Sequence, residues 1–476
     1  MNRYVFLSLL LLPGSLFAQK PQPKPLAITH VNVIDTTGGP SLPDMTVVVA
    51  EGRITAVGTS ASLVVPNDAL VIDGTGQFLI PGLWDMHMHV VNSVRELYFP
   101  LYIANGVTSV RVMWGYPDQI KWRKFIAAET WQGPRFTLAG PLVDGPNSRR
   151  AGSSMLTAAT AAEGREAVHQ IKDGGYDFVK IYDALNRDTY FAIAAEAKQL
   201  KIPFAGHVPH AVGAAEASDA GQKSIEHLTG VALGCSTMEA ELRMALLAAN
   251  REPAKPDLEL LRRIAVQTHD TYDEEKARTL FKRFATNGTW QCPTFTVLRA
   301  VGNLNNLEFQ QDDRLKYVPP ARRELWFPSN HPRFKDWKEE DFAVARMAFE
   351  WGLELVGKMH KAGVPILAGS DVANPYCFSG FSLHDELELL VKAGLTPGEA
   401  LKTATLNPAI YLGRENDLGT VAKGKIADLV LLEADPIKDI KNTRKVVAVV
   451  VGGKLHMKES LQKMLADVQT AAATKK

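Results

Sequence analysis

Apolar and polar positions alternate with a period of two in several short runs early in the chain, at residues 26–35, 46–50, 53–57 and 70–73. Gly38-Gly39 and Glu51-Gly52 punctuate these runs as turn signals, so the pattern predicts strands joined by tight connections. Similar runs return at 427–432 and 445–451, just before Gly452-Gly453. Two strand-rich ends flanking a long middle predict one small β-sandwich domain built from both chain ends, over 19–77 and 413–458.

In the middle the period changes. β-branched runs alternate with stretches whose apolar residues recur every three or four positions, as repeated βα units around a parallel sheet require. Strands are predicted at 79–84, 106–112, 135–139, 176–181, 202–206, 224–227, 290–297 and 364–368, with helices such as 187–200 and 353–362 between them. Eight such strands predict an α/β fold, a (β/α)8 TIM-like barrel over 78–412. Residues 238–287 and 303–341 exceed one βα unit, which predicts a helical insertion around 238–341. Residues 459–476 read as a C-terminal helix and tail, fraying from Thr470.

Composition narrows the function classes. With 53 Lys and Arg against 52 Asp and Glu, the 476-residue chain carries a formal net charge of +1. That balance gives no electrostatic footprint for nucleic acid or an anionic membrane, so binding is expected at a local site. Met1-Asn-Arg-Tyr, an apolar run at 5–12 and Ser15-Leu-Phe-Ala18 read as a signal peptide over 1–18, cut after Ala18. The run is shorter than the ~20 apolar residues of a spanning helix, which disfavours a membrane anchor. The mature chain is therefore expected to be exported, periplasmic or secreted, with no stable membrane insertion. Cys235, Cys292 and Cys377 are too few and scattered for a disulfide framework and read as core or free thiols.

The candidate chemistry is spread along the predicted barrel. Directly after its first strand stands Pro81-Gly-Leu-Trp-Asp-Met-His87-Met-His89. Residues two apart on a strand share a face, so both imidazoles can reach one metal, although a lone pair of this kind is equally at home as ordinary core or surface histidines. Lys180 lies near the end of a strand among apolar neighbours. It is either a lysine whose ammonium reaches solvent along the surface, or a neutral amine that adds carbon dioxide to become an anionic, metal-bridging carbamate. His207, His227 and Asp371 each end a further apolar strand. That is the rim where a barrel of this kind keeps its active site.

These pieces resemble the amidohydrolase superfamily of metal-dependent hydrolases, especially its imidazolonepropionase-like and Xaa-Pro dipeptidase-like branch. The resemblance rests on Pro81-Gly-Leu-Trp-Asp-Met-His-Met-His89, Gly106-Val-Thr-Ser-Val-Arg111, Asp177-Phe-Val-Lys-Ile-Tyr-Asp183, Gly206-His-Val-Pro209, Ser224-Ile-Glu-His-Leu228 and Gly369-Ser-Asp371. Gly419-Thr-Val-Ala-Lys-Gly-Lys-Ile-Ala-Asp-Leu-Val430 is similar to the family's closing β-domain signature. The resemblance implies that His87, His89 and Asp371 bind the more buried of two divalent metal ions. It implies that His207 and His227 bind the other and that carboxylated Lys180 bridges them. Ligands of these types suit Zn2+, with Mn2+, Co2+ and Fe2+ left open. The implied reaction is hydrolysis of a C–N bond by a metal-bridging hydroxide, with Asp371 as the catalytic proton carrier. Val112 stands where relatives often carry Asp, and the loop at 147–151 is unusual, which bears on the substrate more than on the metals.

Four further residues are substrate candidates. Tyr182, two beyond Lys180, either polarises a carbonyl or packs as an aromatic. His210 orients substrate or is a loop histidine. Arg149 and Arg150 clamp a carboxylate or form a solvated loop pair. Glu226 is expected to point away from the face that His227 occupies. The expected substrate is a small amide or peptide, such as a dipeptide or an N-acyl amino acid. The alternatives are a mononuclear deaminase or an imidazolonepropionase-like cyclic amide hydrolase, in which Lys180 is only structural, and a non-catalytic scaffold on the same fold. A homo-oligomer is left open.

Overall fold

The computed structural model describes residues 24–90, 92–150, 154–252 and 255–475. The leader expected at 1–18 lies outside the described residues. Strands from both ends of the chain form one eight-stranded sheet. Lys454–Met457, Val446–Val451 and Leu429–Leu432 from the far end join Phe78–Pro81, Leu26–Val33, Leu42–Ala50 and Arg53–Thr59 in that order, and Leu70–Asp73 pairs with Leu26–Val33. The buried faces of Ile28, Val31, Val47, Ile54, Leu429 and Leu431 make a core of its own. The shared sheet is consistent with the expected β-unit built from both chain ends.

The middle of the chain holds parallel strands flanked by helices. Leu83–Met88, Val107–Val112 and Arg135–Leu138 form a three-stranded sheet. Met155–Thr157, Leu142–Asp144, Val179–Ile181, Phe204–Gly206, Ser224–Glu226 and Trp290–Cys292 form a six-stranded one. Single parallel bridges connect Ala139 to Phe178, Gln291 to Ile366 and Met88 to Val372. Leu83–Met88 and Val107–Val112 are buried along their whole length, on both faces. Helices between them start at side-chain caps, including Thr160 with Glu163 and Thr396 with Glu399.

Several expected elements are corrected. The run 79–84 is not one strand: Phe78–Pro81 belongs to the sheet built from the chain ends, and Leu83–Met88 begins the parallel set. Gly82 sits between them, where a Cβ would lie 2.2 Å from the Thr108 hydroxyl. The strand expected at 290–297 stops at Cys292, because Thr294 turns to a φ of 53° and the helix Phe295–Gly302 begins. Residues 364–368 make bridge and backbone bonds but no extended strand. At the far end the helix Lys458–Thr474 continues through Thr470 with Val468 and Ala472 buried, packed against Arg95–Ala104. The region 238–341 is largely helical, with Trp290–Cys292 running through it.

Candidate metal centre

His87 ends the strand Leu83–Met88 and is fully buried, while His89 just beyond it is about a quarter exposed. Asp371 faces both: its Oδ1 lies 3.5 Å from His87 Nε2 and 3.0 Å from His89 Nε2, and its Oδ2 lies 3.8 Å from His227 Nδ1. The His87 and His227 rings are 4.5 Å apart between centroids, and the His227 and His207 rings 4.9 Å. His87, His227 and Asp371 each place a donor atom within 4.8 Å of the others, a spacing that one cation can fill. Lys180, 1 % exposed, senses the charges of Glu226, Asp371 and Asp183. The structure thus gathers five sequence candidates and places Lys180 within electrostatic reach.

The backbone is bent to do this. His227, Thr294 and Asp371 all have φ between 53° and 58°, a region that costs L-residues of order 1–3 kcal/mol and persists only where the surroundings hold it. Gly206, at φ 141°, allows the strand before His207 to pass so near Ile181 that a Cβ would lie 2.2 Å from its carbonyl oxygen.

Charge and hydrogen bonding suit a cation. Burial pushes the His87 imidazole down to about 4, against the pull of Asp371 and Glu226. Burial likewise holds His207 and His227 below the usual histidine range. Burial alone would raise the Asp371 carboxyl, but His87, His227 and His89 outweigh it and keep it ionised. Four buried polar atoms here have no hydrogen-bond partner: His87 Nε2, His89 Nδ1, Lys180 Nζ and Asp371 Oδ1. Buried polar atoms are rarely left in this state without a ligand, and this donor set fits a divalent metal.

The rings are also held from behind. His87 Nδ1 lies 2.7 Å from Glu226 Oε2, His207 Nδ1 lies 2.7 Å from Asp183 Oδ1, and His227 Nδ1 lies 2.6 Å from the Thr294 hydroxyl. Glu226 is a correction. It faces the interior, because the strand ends at Glu226 and the left-handed turn at His227 breaks the alternation that would have separated the two. Asp183 and Thr294 were not singled out from the sequence, although Asp183 lies three residues past Lys180.

The substrate candidates line one side. The Tyr182 ring lies 4.1 Å from His207, and its hydroxyl accepts a hydrogen bond from Arg150 Nε at 3.1 Å. His210 and Arg149 both act on the Asp183 charge. The exposed Arg333, from the segment before the helix Glu339–Lys361, joins them: Tyr182, Arg150 and Arg149 all bear on its guanidinium. Nothing in the spacing of the sequence marks Arg333.

A family model described as the amidohydrolase family matches residues 78–456. The chain belongs to the amidohydrolase family. Among curated relatives, ochratoxinase of Aspergillus niger is 39% identical over 100 residues, 20% of this chain and 20% of the relative. The chain therefore matches about a fifth of that relative's length. Bottromycin amidohydrolase shares the fold over 95% of this chain and 91% of its own, with a TM-score of 0.76 and 23% identity. A Xaa-Pro dipeptidase with methionine bound in its active site does so over 91% of this chain and all of its own (100%), with a TM-score of 0.66 and 20% identity. At such identities these structures speak for the amidohydrolase fold and not for a shared substrate.

Proposed function

We propose that this amidohydrolase cleaves the C–N bond of a small amide or peptide, such as a dipeptide or an N-acyl amino acid, with two divalent ions at the cluster around Asp371. The observation that carries the reading is the group of four buried, unpartnered atoms on His87, His89, Lys180 and Asp371. His87, His89 and Asp371 would hold one ion, and His207 and His227 the other. Zn2+ suits imidazole and carboxylate ligands. Such ions, when bound, activate water and polarise the scissile carbonyl. The parallel bridges from Ala139, Gln291 and Met88 support reading the strands as a closed (β/α)8 ring. Export through the leader at 1–18 is part of the same proposal.

Lys180 supplies the missing negative charge. Burial pushes its amine down to about 8, against Glu226 and Asp371, so a usable share is neutral. The neutral nitrogen attacks carbon dioxide, an N–C bond forms, and the released proton goes to solvent, leaving a carbamate with two oxygen donors. Asp371, held ionised, takes a proton from the attacking water and passes it to the leaving amine. Tyr182, its ring against His207 and its hydroxyl bonded by Arg150, orients the substrate. Arg149, Arg150 and His210 favour a substrate bearing a carboxylate.

The experiment is a screen of metal-reconstituted protein against dipeptides and N-acyl amino acids, with metal content measured in parallel. Hydrolysis with about two ions per chain supports the reading. About one ion per chain with release of ammonia favours a mononuclear deaminase, and no turnover with metal bound favours the scaffold alternative.

A further inference from the structure

Three of the site's four imidazoles are held from behind, and not alike. Behind His207 stands Asp183, whose side chain is 23% exposed, and behind His227 stands a Thr294 hydroxyl that donates its own proton to the Pro293 carbonyl. Behind His87 stands an ion pair with no exposure at all. Arg111 Nη2 donates to both carboxylate oxygens of Glu226 at 2.9 Å. Arg111 Nη1 donates to the Ser224 hydroxyl at 2.9 Å and to the Tyr411 hydroxyl at 2.8 Å, and its Nε donates to the Met86 carbonyl at 2.5 Å. The Ser224 hydroxyl in turn donates to Glu226 Oε1 at 2.5 Å.

We propose that Arg111 and Glu226 form a positioning pair that sets the proton of His87 on Nδ1 and thereby aims the Nε2 lone pair at the metal. The proposal rests on the reading of His87 as a metal ligand and assigns a task to two residues outside the ligand set. A guanidinium is permanently charged, so burying Arg111 demands an ionised partner, and Glu226 supplies it. An ionised carboxylate only accepts hydrogen bonds. The nitrogen 2.7 Å from Glu226 must therefore carry the ring proton, which leaves Nε2 without one. That is the atom that faces Asp371 and has no hydrogen-bond partner. The Met86 carbonyl, one residue before His87, is tied to the same guanidinium, so backbone and ring are set by one group. In this assignment Arg111 and Glu226 stand outside the ligand set and act through His87.

The test uses the mature full-length chain and two readouts besides turnover: competition for Zn2+ against a chelator of known affinity, and the side-chain 15N shifts of His87 in metal-free protein. Outer partners of metal ligands typically contribute about 10–100-fold in metal affinity. Glu226→Gln is expected to weaken the tighter Zn2+ by that factor and to mix the two His87 tautomers. Because Glu226→Gln leaves a buried guanidinium unpaired and can fail to fold, the double variant Glu226→Gln with Arg111→Met is measured too, and the same loss is expected. A folded double variant with parental Zn2+ affinity and the proton still on Nδ1 overturns the proposal. His87→Ala separates the two levels. If it leaves Zn2+ binding unchanged, the metal reading itself fails; if it abolishes binding while the double variant binds like the parent, only the positioning role fails.

Discussion

Arg150 donates its Nε–H to the hydroxyl of Tyr182, whose ring lies against His207, so an exposed loop residue is joined to the candidate metal centre by a single aromatic side chain. The same guanidinium lies 5.6 Å from the centroid of the Tyr182 ring and 6.0 Å from that of Trp114. Arg150→Ala should raise KM for substrates with a free carboxylate about 10–100-fold, the equivalent of one charge-assisted hydrogen bond, with a small change in kcat. Amidated versions of the same substrates should be affected little. Steady-state kinetics on matched pairs checks this, and equal losses for acid and amide would remove the carboxylate role.

Lys180→Ala should lower metal content from two toward one or none per chain and cut turnover by orders of magnitude. Added short-chain carboxylates should restore part of it by refilling the space between the ions. Lys180→Arg should behave like the alanine variant, because a guanidinium stays protonated and forms no carbamate. Retention of two ions and near-normal turnover in Lys180→Ala would move the case to the mononuclear alternative.

Gly206→Ala places a methyl 2.2 Å from the Ile181 carbonyl oxygen at a φ of 141°. Neither neighbour is a flexible side chain, so backbone must shift. A loss of roughly 2–4 kcal/mol is expected, visible as a lower melting temperature at fixed scan rate. The shift displaces His207, so a weaker second ion should accompany it; unchanged melting would show that the strand tolerates the displacement.

His384 offers a pH test at a residue outside the candidate ligand set. It is buried between the Thr443 hydroxyl at 2.9 Å and the Asn105 carbonyl at 3.1 Å, and burial, aided by Arg444, pushes it down to about 3. Between that value and the ~6.5 of an unfolded histidine, the unfolded chain binds the extra proton, so stability rises with pH across this window. His384's contribution is complete above about 6.5 and is lost as pH falls toward 3, by about 1.4 kcal/mol per unit. His384→Gln should flatten that part of the denaturation profile relative to the parent. Parallel profiles would show that His384 does not titrate there.

The candidate ligand residues stand out in the sequence because each follows an apolar run, and the structure brings His87, His89, His227 and Asp371 together at the ends of such runs. The fold was readable for the same reason, apart from its seams. Phe78–Pro81 and Leu83–Met88 form one largely apolar run, and only their partners, Leu429–Leu432 for the first and Val107–Val112 for the second, reveal that they serve different sheets. The strand ending at Cys292 looked longer because Phe295 and Val297 continue its hydrophobicity, while the left-handed Thr294 that ends it carries no compositional mark. Glu226 and Arg111 were hidden by the same limitation. Alternation places a side chain on a face only while the strand lasts, and an ion pair between two strands has no local signature. Arg333 lies in a segment without periodicity, where neighbours are set by packing alone.

The sheet shared by the two chain ends has a consequence for the timing of synthesis. Phe78 pairs with Leu432, so the strand Phe78–Pro81 emerges from the ribosome roughly 350 residues before one of its partners exists. At about 5–20 residues per second that wait is some 20–70 s, during which an apolar edge stands open. Of the late-made strands, Leu429–Leu432 covers that edge, and the helix Lys458–Thr474 then locks against Arg95–Ala104. Ribosome-stalled chains that stop short of Leu429 should accordingly be held by chaperones or cut by proteases, and chains released past the final helix should not.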